Sequence, residues 1–362
     1  MKKHQGFIFR LGPNRVWRTY SGGRLLDEIE GRQPAVDGPF PEDWIGSTIN
    51  ARNPDSSRPG EGLARVVIEG QETLLSDLII SDPEYFLGPQ HVAKFGANPM
   101  LLVKYLDSSV RLPIQVHPTV AFSRSRLNSE SGKTEAYYIL EVRPEEREPF
   151  IYLGFQRPPR REELRRMIVE QDMAALERCF DRIPVKPGDV YVVPGGAPHA
   201  IGGGVLMVEV MEPTDYVARV EFNCAGRTIP ESARFMGRDV EFALDMFSLE
   251  ALPLATVQSR WRCGPREFEQ GPGMRRESLV DERVTDRFRI CRTTLSGSEP
   301  QRWRAQGFTL LLVVDGQCTI TTSREKQSFK KNDRVLIPHG LPEVMIHPHE
   351  KVVLLECLPP KA

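Results

Sequence analysis

The chain reads as short apolar or alternating runs, each cut off by proline or glycine. "PMLLVKYLD", "RLPIQVHP", "EAYYILEV" and "PFIYLGF" follow one another in this way, and the stretch from "VKPGDVYVV" to "VLMVEVME" continues it. Side chains two apart share one face of a strand, so the pattern predicts a mainly β protein. The 30 prolines and 29 glycines supply its turns. Earlier runs, "GFIFRL", "WIGSTIN" and "LARVVIEG", read as further short strands.

Two segments change period. Residues 72–94 carry a stripe of Leu74, Leu75, Leu78 and Ile79, and 160–180 has apolar positions at 164, 167, 168, 173, 176 and 180 behind an acidic start. Both predict helices. "RTIPESARFMGRDVEFALDMF" is expected to be helical in part. Residues 286–358 read as strands only, and Asp315-Gly316 in "VVDGQCTI" predicts a hairpin turn. "KPGDVYVVPGGAPHAI" and "KKNDRVLIPHGLPEVMI" share one layout, which predicts two copies of one β-fold. The expected division is 1–245 and 246–362, with the helical segments in the first part.

Composition narrows the partners. A net charge of −1 over 362 residues argues against nucleic acid or an anionic membrane surface. The strongest apolar run, "FTLLLVV", is strand length, against roughly 20 residues for a membrane helix. "GFIF" is too short for a signal peptide's apolar core. Six scattered cysteines with no CxxC pair fit reduced thiols, so the expected location is the cytoplasm.

Polar residues inside the strands carry the chemistry. In "LPIQVHP", Gln115 and His117 alternate with Leu112, Ile114 and Val116. The apolar three are expected to pack outward, while Gln115, His117 and Pro113 turn inward. Lys133 and Glu135 repeat the spacing in "GKTE", and His199 follows the turn "PGGAPH". Taken singly, each is more often an ordinary strand histidine or exposed acid. Together, two imidazoles, a carboxylate and an amide suit zinc or another divalent first-row ion such as Fe²⁺ or Mn²⁺. A weak amide ligand leaves such a site open, as catalytic metal sites are.

"LPIQVHP", "GKTEAYYIL", "GDVYVVPGGAPHAIGGG" and "EPTDYVARVEF" resemble the motifs of the type I mannose-6-phosphate isomerases, zinc-dependent cupins, in their short bacterial form. "FGANPMLLVKYLD" extends the resemblance upstream. It implies two cupin (jelly-roll β-barrel) domains with helical insertions in and around the first, the second lacking metal despite His339, His347 and His349. It implies one zinc per chain on Gln115, His117, Glu135 and His199. It places Lys133 and Arg219 as catalytic residues that also touch the sugar phosphate, and Trp17 against the sugar. The activity implied is interconversion of mannose 6-phosphate and fructose 6-phosphate through an enediol, by a monomer or homodimer. Pro113 stands where many members have serine, and the lysine that larger members carry shortly after the arginine is absent, so the phosphate contacts are expected to differ. A related sugar phosphate, a non-catalytic sugar-sensing cupin and an iron oxygenase are the competing readings.

Overall fold

Strands hidden on both faces form the centre of the molecule. In the structure, a computed structural model describing residues 2–53 and 58–362, every residue of Leu102–Ser108 and of Val205–Met211 is buried. These two strands pair antiparallel inside a six-stranded sheet. Its order is Val190–Val193, Glu135–Val142, Val205–Met211, Leu102–Ser108, Glu42–Ile45, Arg15–Val16. A five-stranded sheet faces it, in the order Ile183–Pro184, Phe150–Leu153, His199–Ile201, Gln115–Val116, Ala218–Arg219. Leu106, Tyr137, Ile139 and Met207 from the first sheet pack on Leu153 and Ile201 from the second. The packed layers bury one face of each sheet.

The outer face of the five-stranded sheet is covered by helices. Ile114, Val116 and Ala218 pack there against Leu164, Ile168, Phe242 and Leu244, so Ile114 and Val116 do turn outward. Leu112 does not: it joins the core between the sheets. The regular strand covers only Gln115–Val116, and Pro113, which cannot donate to a ladder, ends the alternation before Leu112.

The outer face of the six-stranded sheet meets the C-terminal half. Val103, Tyr105, Tyr138, Val192 and Val210 share one cluster with Phe288, Ile290, Leu310, Leu336 and Leu355. The C-terminal strands form a nine-stranded sheet that also takes in Phe9–Arg10, paired to Arg334–Ile337. The chain therefore begins in the sheet that its last third builds.

Mainly β architecture with helices around the first part is what the pattern predicts, but several details differ. The 72–94 segment starts in the strand Gln71–Leu74, so Leu74 is not helical, and continues as three short helices, Leu75–Ser81, Pro83–Leu87 and Pro89–Phe95, interrupted at Asp82 and Gly88. Proline at the first helical position favours a fresh start over continuation. Residues 160–180 break into Arg161–Glu170 and Met173–Glu177. Asp315-Gly316 makes no hairpin turn, since both lie within the single strand Thr309–Thr321. A β-carbon on Gly316 would stand 2.0 Å from the Lys351 carbonyl oxygen. Glycine there permits a bulge and close approach to the neighbouring strand, rather than a reversal. The antiparallel pair Arg266–Gly271 and Met274–Val280 has no counterpart in the sequence expectation. Among the described residues, no helix is long and apolar enough to cross a membrane.

Candidate metal centre

The sheets bring the polar positions together from opposite sides. In the five-stranded sheet His199 lies directly across from Gln115, and Gln115 directly across from Arg219. Three of the residues singled out in the sequence thus occupy one row. Glu135 opens its strand in the facing sheet, paired with Val193 and Met211. His117 lies one residue past its short strand, and Lys133 two residues before Glu135.

His117, Glu135 and His199 each offer a ligand atom within 4.8 Å of the others. All three are at most 1% exposed. His117 Nε2 lies 3.2 Å from Glu135 Oε2, and His199 Nε2 lies 3.2 Å from Glu135 Oε1. Gln115 Nε2 is 3.2 Å from His199 Nε2, and an amide flip would present its oxygen at the same point. Lys133 Nζ stands 3.0 Å from His117 Nε2 and 3.6 Å from Glu135 Oε2.

The hydrogen bonds behind the rings fix what they can do. His117 Nδ1 lies 2.8 Å from the Tyr216 carbonyl, and His199 Nδ1 lies 2.9 Å from the Ala197 carbonyl. A carbonyl only accepts, so each Nδ1 carries the proton and donates it. In the neutral rings both Nε2 atoms then present lone pairs to a carboxylate. Lone pairs facing lone pairs call for positive charge, which the Lys133 ammonium can supply on the His117 side and a metal ion would supply to both rings. This tautomer is the one metal-binding histidines adopt. Glu135 Oε2 is buried without a hydrogen-bond partner, an atom that a metal ion would satisfy. The donor set of two nitrogens, a carboxylate and an amide fits zinc or a neighbouring first-row ion.

Electrostatics agree with the geometry. Burial, reinforced by Lys133, lowers His117 to about 3, so the ring is neutral at physiological pH. Burial would raise Glu135, but the protonated forms of His117 and Lys133 hold it well below the usual carboxylate range. Burial lowers the Lys133 ammonium, with Glu135 opposing. Arg219 is likewise lowered by burial. Its Nη1 donates to the Ala233 carbonyl at 3.0 Å. Glu221, two residues on, is taken by Arg111 instead, at 2.7 Å.

A small inner cavity of about 30 Å³ lies against this centre, with Pro113, Gln115, Lys133 and Arg219 in its wall. A wider cavity of about 480 Å³ shares Asp215, Val217 and Arg219 with it and opens outward. Trp17 lines neither of the two; it is half-buried, with the Arg58 guanidinium 5.7 Å from its ring. Its neighbours Arg18 and Tyr20 reach the inner wall instead.

Those two belong to a buried charged network that sequence reasoning missed. Arg18 Nε donates to Glu42 at 2.8 Å, and its Nη1 and Nη2 donate to Asp215 at 3.1 and 3.2 Å. Tyr20 donates to Glu42 at 2.7 Å, and Lys104 donates to Glu209 at 3.0 Å. Burial alone would raise Glu42, yet Arg18 and Lys104 outweigh it and hold the carboxyl below its usual range. The signal was present in "LLVKYLD" and "LMVEVME", where one charge interrupts a strand that is otherwise apolar on both sides. The network holds the inner wall in place. Arg18→Met leaves Glu42 and Asp215 buried with one cation fewer, and is expected to cost about 3–5 kcal/mol. Urea unfolding of the variant checks this, with an unchanged midpoint as the contrary result.

A mainly β fold of cupin type, with a buried His–Glu–His group able to hold a metal, defines the class to which this chain compares. No family model matches it. It is 28% identical over 258 residues to the mannose-6-phosphate isomerase ManA of Bacillus subtilis (strain 168), spanning 70% of this chain and 74% of that protein. The crystal structure of a mannose 6-phosphate isomerase from Bacillus subtilis superposes with a TM-score of 0.70 at 21% identity, covering 96% of this chain and 99% of that one. A mannose 6-phosphate isomerase bound with zinc and yttrium gives 0.66 at 14% identity, covering 98% and 100%. The chain is related to the mannose-6-phosphate isomerases and shares their fold.

Proposed function

We infer that this protein is an aldose–ketose isomerase that interconverts mannose 6-phosphate and fructose 6-phosphate. The observation that carries the reading is the convergence of His117, Glu135 and His199, with Lys133 beside them, at a cavity that Arg219 also lines. The relatives bearing that activity by name support it.

The reaction moves one proton from C2 to C1 and another from O2 to O1, while negative charge develops on these oxygens. Zinc held by Gln115, His117, Glu135 and His199 would supply a Lewis acid for those oxygens. Lys133 sits at the inner wall, and burial favours its neutral form. In this reading it accepts the C2 proton and returns it to C1, a step a positioned base accelerates by about 10²–10⁴-fold. Arg219, across the row from Gln115, sets a permanent positive charge against the enediolate. His199 and His117 act as ligands rather than bases, because a carbonyl holds one ring nitrogen of each and the other faces Glu135. Residues 1–245 form the catalytic part in this account. Residues 246–362 form a metal-free cupin that backs the catalytic sheet. The protein works in the cytoplasm as a monomer or homodimer, without nucleic acid.

The test is to measure bound metal and then follow mannose 6-phosphate in an assay coupled to fructose 6-phosphate. Near-stoichiometric zinc and turnover abolished by chelation are expected. Metal-loaded protein that consumes oxygen, or that binds the sugar without turning it over, would overturn the reading.

A further inference from the structure

Among the described residues, the outer cavity holds two guanidinium groups that form no ion pair with a carboxylate. Arg219 and Arg52 both line this space of about 480 Å³. Among the described residues neither has a carboxylate within ion-pair distance of its side chain. Asp215, the nearest acid in the wall, is already met by two bonds from Arg18 and by the backbone N–H of Arg52 at 2.7 Å. Glu61 accepts from the Trp17 N–H and from Asn53, with Arg58 at 3.9 Å. The acids on this wall therefore have cations or donors of their own, whereas among the described residues Arg52 and Arg219 have no carboxylate partner.

Arg52 is also held in position. Its guanidinium lies 4.7 Å from the centre of the Tyr216 ring, a cation–π contact that orients the fork. The carbonyl of the same Tyr216 accepts the Nδ1–H of His117. Tyr216 thus anchors the His117 ring on its backbone and the Arg52 guanidinium on its side chain. Arg219, common to both cavities, links this outer space to the inner one beside Lys133.

We propose that Arg52, on the outer side of Arg219, forms the subsite for the phosphate of the sugar phosphate and sets the preference for a phosphorylated substrate. Arginine forks match phosphate oxygens in bidentate geometry. The inner cavity, about 30 Å³, is far smaller than the outer one of about 480 Å³, and with the reacting end of the sugar at the inner wall the charged end belongs in the outer space. Pro113 sits in the inner wall and offers neither a hydroxyl nor an N–H there, which leaves the dianion to the arginines. The inference rests on the isomerase reading above.

The test compares wild type, Arg52→Met and Arg52→Lys, all zinc-loaded, with mannose 6-phosphate as substrate and inorganic phosphate as competitive inhibitor. For Arg52→Met we expect KM and the phosphate inhibition constant to rise together by about 10–100-fold, the loss of one charged hydrogen-bonding group. Its kcat should change less than threefold, and Arg52→Lys should recover part of the loss. An Arg52→Met enzyme with unchanged KM and unchanged phosphate inhibition would overturn the subsite while leaving the isomerase intact. A drop in kcat alone would also overturn it, since that pattern marks a structural role. Wild type without turnover would instead overturn the reading on which it rests.

Discussion

His117→Ala is expected to empty the metal centre and to lower isomerase turnover by about 10³-fold or more. The size follows from the several kcal/mol that a Lewis-acidic ion contributes at a developing oxyanion, at about 1.4 kcal/mol per factor of ten. The variant removes one of two buried nitrogens facing Glu135. The remaining Gln115, Glu135 and His199 supply three donors, one short of the four-donor site. Glu135→Gln should act similarly, because it removes the only negative charge among the four donors. A separate readout distinguishes metal loss from misfolding. Metal bound to the native state raises its melting temperature by mass action. Chelation should therefore lower the melting temperature of wild type and leave that of His117→Ala unmoved. Full metal occupancy in His117→Ala would contradict the ligand assignment.

Lys133→Met should give the second-largest effect with the opposite metal result: zinc retained, turnover reduced by about 10²–10⁴-fold. The side chain is buried at the centre, 3.0 Å from His117 Nε2, and lies outside the four-donor set. Removing it leaves all four donors in place, so zinc occupancy should hold. The check pairs metal analysis with single-turnover kinetics on mannose 6-phosphate. Loss of zinc along with activity would make Lys133 a structural support for the site. An unchanged rate would remove it from the chemistry.

The centre was legible because its signals are local. "QVH" and "GKTE" each place two polar side chains two residues apart, and strand geometry turns such pairs to one side. Cross-strand register did the rest, setting His199, Gln115 and Arg219 in one row. Leu112 failed the same rule because the regular strand is only two residues long and a proline precedes it. Gly316 failed for a different reason. Asp-Gly serves hairpin turns, but glycine also permits a strand to approach its neighbour's backbone, and a sequence run shows only the residue, not which use applies. The network of Arg18, Glu42, Lys104 and Asp215 joins residues up to 197 positions apart. Each looked like a lone charge, and only folding reveals that they compensate one another. The pairing of Phe9–Arg10 with Arg334–Ile337 was hidden by the same distance along the chain.

The central claim is proton transfer at C1 and C2 in a metal centre built from Gln115, His117, Glu135 and His199. Incubation of zinc-loaded protein with mannose 6-phosphate in D₂O, followed by NMR, tests it most directly. The account predicts fructose 6-phosphate carrying deuterium at C1, mannose 6-phosphate gaining deuterium at C2, and both signals lost on chelation and restored by zinc. Zinc-loaded protein that binds the sugar phosphate yet shows neither interconversion nor exchange would contradict it.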